Sequence, residues 1–586
     1  MTKISSKRTL ILGLVLIAMN LGMAQFYDGS NLSFGKNRIQ YQEFLWQYYR
    51  FDRYDTYFYE GGKEIATHVS QVAPGILKDM ENRLDYVVQD RMEFIIYNNQ
   101  TEFKQSNLGL VSSNQQTEIG GNARIVGSKI FLFFEGDYTK LDQQVRAGIC
   151  RMIINDMLYG GDWKDVIKNS ALMNFPDWYT EGLVSYYSDG WNANIQDRVR
   201  DGVISGRYEK FNRLNDEESI YAGHSIWKYI ADQYGESVIP NILYMAKINR
   251  SIESGFIFVL GLQLTALMEE HEIYYTGIFE QQSMGRAESE MFEAQVKTKK
   301  NQVYGQYKLS PDGKKAAFTS NVLGQYRVWV YDIDEYHRED IARRKAYDVE
   351  KAEHDRKEAA KQATSKDYRA KAYKAYKPKL HPAKKIYKAE HKLDRIVDKS
   401  YPILEWNPRG TELSFITESK GTVWLNTYSI ADKKTFKREL FGLQKVLAFD
   451  YSHTGKKLVM SGVNNGQSDI YLYHLLGNRQ ERLTNDNFDD LEPRFLNKSQ
   501  KVVFTSNRVD DTLRVKHKSP ILPKTTDVFT LNLNDRKANL ERITSTPEFN
   551  ESMPFQYDSL RYTYLSDRLG MNNRFVATYD STISRV

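Results

Sequence analysis

Cysteine is almost missing: the chain has one, Cys150, in 586 residues. A single thiol cannot close an internal disulfide, so the fold must stand on core burial. Cys150 lies in an apolar helical stretch and reads as a small buried hydrophobe rather than a nucleophile. Long apolar runs are missing as well. Nothing beyond the N-terminus stays apolar for the ~18 residues a membrane-crossing helix needs. With 27% of residues charged, a membrane bundle is excluded. Metal-binding spacing is also lacking, since no two of the ten histidines stand three to five residues apart. "HEIYY" (271–275) ends in Tyr275 where a second histidine would be needed. It lies among Glu269, Glu270 and Glu272 and reads as an ordinary surface helix. No phosphate-binding glycine loop occurs, and "EIGGNARIVG" reads as a loop before a strand. "GHSIW" (223–227) lacks the second glycine of a nucleophile elbow, so Ser225 reads as a helix residue packed near Trp227.

The N-terminus does carry a signal. Lys3, Lys7 and Arg8 precede an apolar stretch from Leu10 to Met19, and Gly22-Met23-Ala24 fits small-x-small cleavage before Gln25. Residues 1–24 therefore read as a secretory signal, with an uncleaved anchor as the alternative. No cysteine follows the cut, which argues against a lipid anchor. The expectation is a periplasmic protein, with the outer membrane as its further association. The net charge of +6 is unevenly spread. Glu335 to Lys399 holds 20 Lys/Arg against 12 Asp/Glu, or +8, and the signal adds +3, leaving −5 for the rest.

From residue 25 to about 290 the pattern mixes helices and strands. "APGILKDMENRLDYVV" places Ile76, Met80, Leu84 and Val87 on one helical face. "MEFIIYNN" and "GSKIFLFFEGDY" read as strands. "LDQQVRAGICRMIINDMLYGG" reads as a helix with Val145, Ile149, Met152 and Ile153 buried. "FPDWYTEGLVSYYSDGW" and "AGHSIWKYIADQYG" follow as helices, giving an α+β domain. From 300 to 586 one unit recurs: a turn, an alternating strand, then a small polar pair. It appears as "LSPDGKKAAFTSN" (309–321), "WNPRGTELSFITE" (406–418), "YSHTGKKLVMSG" (451–462), "FLNKSQKVVFTSN" (495–507) and "FQYDSLRYTYLSD" (555–567). A second strand follows each. Met460 and Phe504 give a period of about 44, the spacing of β-propeller blades. Five blades are visible, and a sixth is sought in 430–447. An insertion at 335–398, rich in Lys, Ala, Tyr and Glu, reads as one or two long helices. A shorter one at 508–526 reads as a loop.

The propeller repeats resemble the WD40-like repeats of TolB and of the dipeptidyl-peptidase and tricorn propellers, with "LSPDGKKAAFTS" the nearest. The preceding region resembles the peptidase MA-like, gluzincin-type domain through the helix at 145–156, then "PDWYTEGLVSYY", then "YAGHSIWKYIADQYG". With the opening "FGKNRIQYQEFLWQYY", the whole is similar to a group of exported, TolB-like Bacteroidetes envelope proteins. In that peptidase family a His-Glu-x-x-His helix binds zinc and a later glutamate completes the site. Here the matching positions are Ala147, Gly148 and Arg151, and only Glu181 of "PDWYTEG" remains. The resemblance thus implies a lost metal site with no cofactor. Either Arg151 pairs with Glu181 where zinc would sit, or both face solvent, and neither arrangement supports hydrolysis.

The expected fold is multidomain: a degenerate metallopeptidase-like α+β domain at 25–290, then an all-β propeller at 300–586 of five or six blades, carrying the charged helical insertion. The expected function is non-catalytic binding or scaffolding in envelope or outer-membrane protein assembly or transport, through protein partners. The basic insertion offers a contact for an anionic surface, and nucleic acid is not expected. The alternatives are a peptidase with an unrecognised active site, or a periplasmic propeller that senses a glycan or small ligand.

Overall fold

A computed structural model describes residues 40–106, 124–160, 173–284, 296–513 and 522–578, apart from 41, 127, 174, 215, 300, 301, 323, 365–368, 370, 378, 379, 381, 382, 391–399, 536–539, 559 and 560. The signal read at 1–24 and much of the 508–526 insertion lie outside the described residues.

The first part is a mixed five-stranded sheet covered by helices. β1 (Gln47–Arg50), β2 (Tyr54–Phe58), β3 (Met92–Tyr97), β4 (Arg124–Val126) and β5 (Lys129–Phe133) run in the order β1-β2-β3-β5-β4. β2, β3 and β5 are parallel. Parallel neighbours need a crossover, and α1 (Lys63–Leu84) supplies the one from β2 to β3. Both faces of β3 and β5 are covered, which explains their unbroken apolar runs. Phe94, Ile96, Ile130 and Leu132 join the helical core, while Ile95, Tyr97, Phe131 and Phe133 pack on the other side. α1 starts ahead of the expected span and ends at Asp85, which turns left-handed. Ile76, Met80 and Leu84 are buried as read. Val87 falls beyond that turn and is 59% exposed, because the 3.6-residue period stops with the helix.

Among the described residues, seven α-helices follow: α2 (Tyr138–Tyr159), α3 (Asp177–Asp189), α4 (Ala193–Ile204), α5 (Asp216–Tyr234), α6 (Val238–Asn249), α7 (Ile252–Leu260) and α8 (Leu264–Ser283). Asp137 caps α2 by accepting from the Thr139 and Lys140 amides. The stripe Val145, Ile149, Met152 and Ile153 is buried. No single helix among the described residues is long and apolar enough to cross a membrane.

The second part is a propeller of five sheets. Its blades are β6 (Val303–Leu309), β7 (Lys315–Val322), β8 (Gln325–Asp332) and β9 (Lys384–Lys388); β10 (Ile403–Trp406), β11 (Glu412–Ser419), β12 (Thr422–Ser429) and β13 (Thr435–Glu439); β14 (Lys445–Tyr451), β15 (Lys457–Asn464), β16 (Gln467–His474) and β17 (Arg479–Arg482); β18 (Asp490–Leu496), β19 (Lys501–Ser506), β20 (Asp527–Asn532) and β21 (Glu541–Arg542); and β22 (Glu551–Gln556), β23 (Arg561–Ser566) and β24 (Asn573–Thr578). The five sequence units are the turns and second strands of these blades. Neighbouring first strands pack on one another, so they form the inner ring. The sixth blade sought at 430–447 does not exist. Thr435–Glu439 is the outer strand of the second blade, and Lys445 begins the third.

The insertion also differs from its reading. α9 (Ile333–Thr364) leaves from β8, and the chain returns to build β9, so 384–388 is blade rather than helix. Among the described residues the insertion is therefore one helix plus a non-helical return, set inside the first blade. Within each blade the strands are antiparallel. Connections 1–2 and 3–4 must therefore lie on one face of the ring, with 2–3 and blade-to-blade connections on the other. The arm, a 3–4 connection, leaves from the first of these faces.

The helical part sits on the second face. The Tyr138 amide donates to Asp489 Oδ2 at 3.0 Å and its hydroxyl to the Gly466 carbonyl at 2.7 Å. Gln196 donates to the Gly570 carbonyl at 2.6 Å. A Cβ on Gly466 would come within 2.6 Å of Ile65, and Val463 of the third blade belongs to the helical core.

Candidate functional site

Two glycines decide where the peptidase-like residues stand. A Cβ on Gly223 would lie 1.9 Å from the Trp178 carbonyl oxygen, and one on Gly182 would lie 2.6 Å from the Gly223 Cα. α3 and α5 thus cross backbone against backbone, which only glycine permits at both positions. The crossing is locked by aromatics. Trp227 Nε1 donates to the Tyr179 carbonyl at 2.9 Å, and Trp178, Tyr179 and Trp227 close around Phe256. These contacts account for the Gly of "TEGL" and of "AGHS" by packing alone.

The crossing sets α3 against α2, and Glu181 meets Arg151 there. Arg151 Nε stands 3.0 and 3.2 Å from the two Glu181 oxygens, and Nη2 stands 2.7 Å from Oε2. Burial works against the guanidinium charge. The Glu181 carboxylate outweighs it and holds Arg151 above its ordinary value. The pair is partly accessible, with the side chains 16% and 30% exposed. Ala147 and Gly148 are buried one turn earlier on α2. The donor set does not fit zinc. Ala147 and Gly148 carry no ligating side-chain atom, Arg151 is a fixed cation, and both Glu181 oxygens already face it. Among the described residues, no cluster of three His, Cys, Asp or Glu side chains is arranged to hold a metal ion.

The remaining nucleophile and base candidates are buried. Cys150 is enclosed, and burial pushes its thiol up to about 12. Ser225, read as a packed helix residue beside Trp227, is fully buried. Its Oγ donates to the Ala222 carbonyl at 2.8 Å and lies 2.8 Å from His271 Nε2. Its one proton is spent on Ala222, so His271 Nε2–H must donate to Ser225. "HEIYY" lies on a surface helix as read, with His271 on its buried face. α8 turns His271 and Tyr275 inward while Glu269 and Glu272 face out. A second pair, unforeseen in the sequence, joins Ser185 Oγ to His224 Nδ1 at 2.8 Å, with Ser185 donating to Asp189 at 3.1 Å. Burial pushes both imidazoles down to about 3, so they are neutral near pH 7. The acid-rich stretch instead rims a cavity of about 490 Å³, where Glu209, Glu253, Glu269 and Glu272 surround Tyr208, Phe211 and Met268.

The propeller's axis is charged. Glu405 Oε2 takes Lys308 Nζ at 2.9 Å and Arg494 Nη1 at 2.6 Å, and Arg494 also stands 3.4 Å from Asp450. These four residues come from four inner strands, and their charges cancel. The inner strands of four neighbouring blades are thereby joined by paired ions.

No protein-family model and no curated protein matches the chain. Solved structures do match its propeller. TolB from Acinetobacter baumannii is 12% identical, covering 47% of this chain and 52% of that chain, with a TM-score of 0.30. A puromycin-hydrolyzing peptidase of Mycobacterium tuberculosis is 12% identical over 49% of this chain and 37% of that one, with a TM-score of 0.30. The β-propeller domain of the Trilobed protease from Pyrococcus furiosus is 8% identical over 48% and 71%, with a TM-score of 0.28. This chain spans about half of the Acinetobacter TolB.

Proposed function

We propose that the chain is an exported, non-catalytic binding protein that scaffolds other proteins of the cell envelope, as the resemblance to TolB-like Bacteroidetes proteins implies. In this reading the helical part is a peptidase-like domain whose metal has been replaced by an ion pair. The observation that carries it is the Arg151–Glu181 fork beside the buried Ala147 and Gly148. A charge-assisted fork holds two helices together as a metal would. Glu181, held by Arg151, is not free to act as a base, and Ala147, Gly148 and Arg151 supply no side-chain ligand for a metal. The face-to-face separation of helical part and arm leaves both free to meet different partners.

The test has two parts. The purified chain should cleave neither unfolded protein nor a mixed peptide library, with or without added zinc. Chelator-sensitive cleavage that Glu181→Gln abolishes overturns the proposal. Tagged chain isolated from gently solubilised envelopes should bring down a partner in fixed ratio, and the chain recovered alone removes the scaffold reading.

A further inference from the structure

The arm's basicity lies on its return, not on its helix. α9 carries eight Lys/Arg and nine Asp/Glu, whereas 369–377 carries Arg369, Lys371, Lys374 and Lys377 and no acid. This return runs back along α9. The Lys371 amide donates to Glu358 at 2.9 Å, the Tyr373 hydroxyl to Glu350 at 2.9 Å, and the Tyr376 hydroxyl to Asp340 at 2.6 Å. Tyr347 of the helix donates to the Lys374 carbonyl at 2.7 Å and packs its ring against Tyr373 and Tyr376. Asp340 and Glu358 lie about 27 Å apart along a straight helix. The chain from Lys371 to Tyr376 reaches at most about 18 Å, so it must be extended, with side chains spanning the difference. Tyr373 and Tyr376 are three residues apart and both turn to α9. The backbone therefore repeats every three residues, as in a polyproline-type helix rising ~3.1 Å per residue.

The same period sets the lysines. Lys371, Lys374 and Lys377 are exposed, share one side, and recur about every 9 Å. Between them stand the exposed methyls of Ala372 and Ala375. The backbone groups of Ala372, Ala375 and Lys377 have no hydrogen-bond partner among the described residues. The tyrosines are committed to the helix and are not free to stack on a ligand.

We propose that this lysine row is a docking strip for an acidic polypeptide segment bound in extended form. The proposal rests on the binding function above and names the class of partner. Charge complementarity selects an anion, and the row is one residue wide. A flat anionic surface would average the row with the nine acids of α9 beside it. A single chain lying along it meets the lysines first, with the acids of α9 behind them engaged by the Lys371 amide, Tyr373 and Tyr376. The small alanines let a second main chain approach, and the amides and carbonyls of Ala372, Ala375 and Lys377, without a partner among the described residues, face it.

The test uses the full chain and a fluorescent twelve-residue peptide with glutamate at every third position. Anisotropy should report binding that weakens about tenfold between low and physiological salt. K371E/K374E/K377E should weaken it at least tenfold. K345E/K351E/K357E, the same charge change on exposed positions of α9, should leave it within about twofold. Equal loss in both variants, or no peptide binding beside lysine-dependent binding to phosphatidylglycerol vesicles, overturns the proposal. If the peptide fails to bind the unmutated chain while an envelope partner is retained by K371E/K374E/K377E, the strip is refuted and the scaffold reading stands.

Discussion

The helical part and the propeller each bury a polar cluster of a different kind. Between the helices, Ser185 pairs with His224 and Ser225 with His271, neutral pairs that look catalytic by residue type and are sealed from solvent. Between blades three and four the cluster is ionic. Arg508, fully buried, grips Asp490 at 2.7 and 2.9 Å and Asp486 at 3.3 Å, while Arg482 holds the buried Asp469. Nucleophile and base letters carry no chemistry where water cannot reach them. A buried charge persists only where a counter-charge is built in beside it.

The hardest blow to this contrast is Arg508→Ala. It leaves two buried carboxylates without their cation and should cost about 3–5 kcal/mol. Hydrogen exchange should show the fourth blade loosened and α3 and α5 unchanged. Gly223→Ala is the counterpart, forcing a methyl into the Trp178 carbonyl. It should destabilise the helical part by about 1–3 kcal/mol and shift the thermal transition that tracks its aromatic signal. A smaller effect separates the two parts by pH. Burial, with Asp490 adjacent, raises Asp469 to about 7, so below that value the folded propeller holds a proton that an unfolded aspartate, near 3.8, does not. That contribution to stability is present at low pH and lost as pH rises from about 4 to about 7. His224 and His271, held near 3, act in the reverse sense. The unfolded chain takes up their protons first, so helical stability is present above about 6.5 and lost as pH falls towards 3. Between pH 7 and 5 the helical transition should move down and the blade-three exchange, around Asp469 on β16, should slow. If both parts move together, the contrast is wrong. The smallest expected change is Glu181→Gln, about 1 kcal/mol in the helical part with folding retained.

Much of this architecture is legible before any coordinates. The stripe Val145, Ile149, Met152 and Ile153 is visible because one helix face meets one core, and five blades are visible because each second strand alternates around a tight turn. The outer strands are not. Thr435–Glu439 reads "TFKRE" and is almost wholly exposed, and Lys384–Lys388 reads "KKIYK". An edge strand packs on one side only and shows no apolar alternation, so the first was mistaken for part of a new blade and the second for helix. The Arg151–Glu181 contact follows from residues a reader can align by resemblance. The Ser–His pairs do not, because the α3–α5 crossing and the α8 packing that create them come from distant stretches. The seat of the helices on the ring was hidden too, since it uses the carbonyls of Gly466 and Gly570, which any residue would offer.

The two faces of the ring have a mechanical meaning. The helices grip the loops of one face, and the arm springs from the other. The strands of each blade run from one of these faces to the other. A pull between a partner on the arm and one on the helices would load the strands lengthwise. Their hydrogen bonds would then have to slide together as a set, instead of opening one after another like a seam.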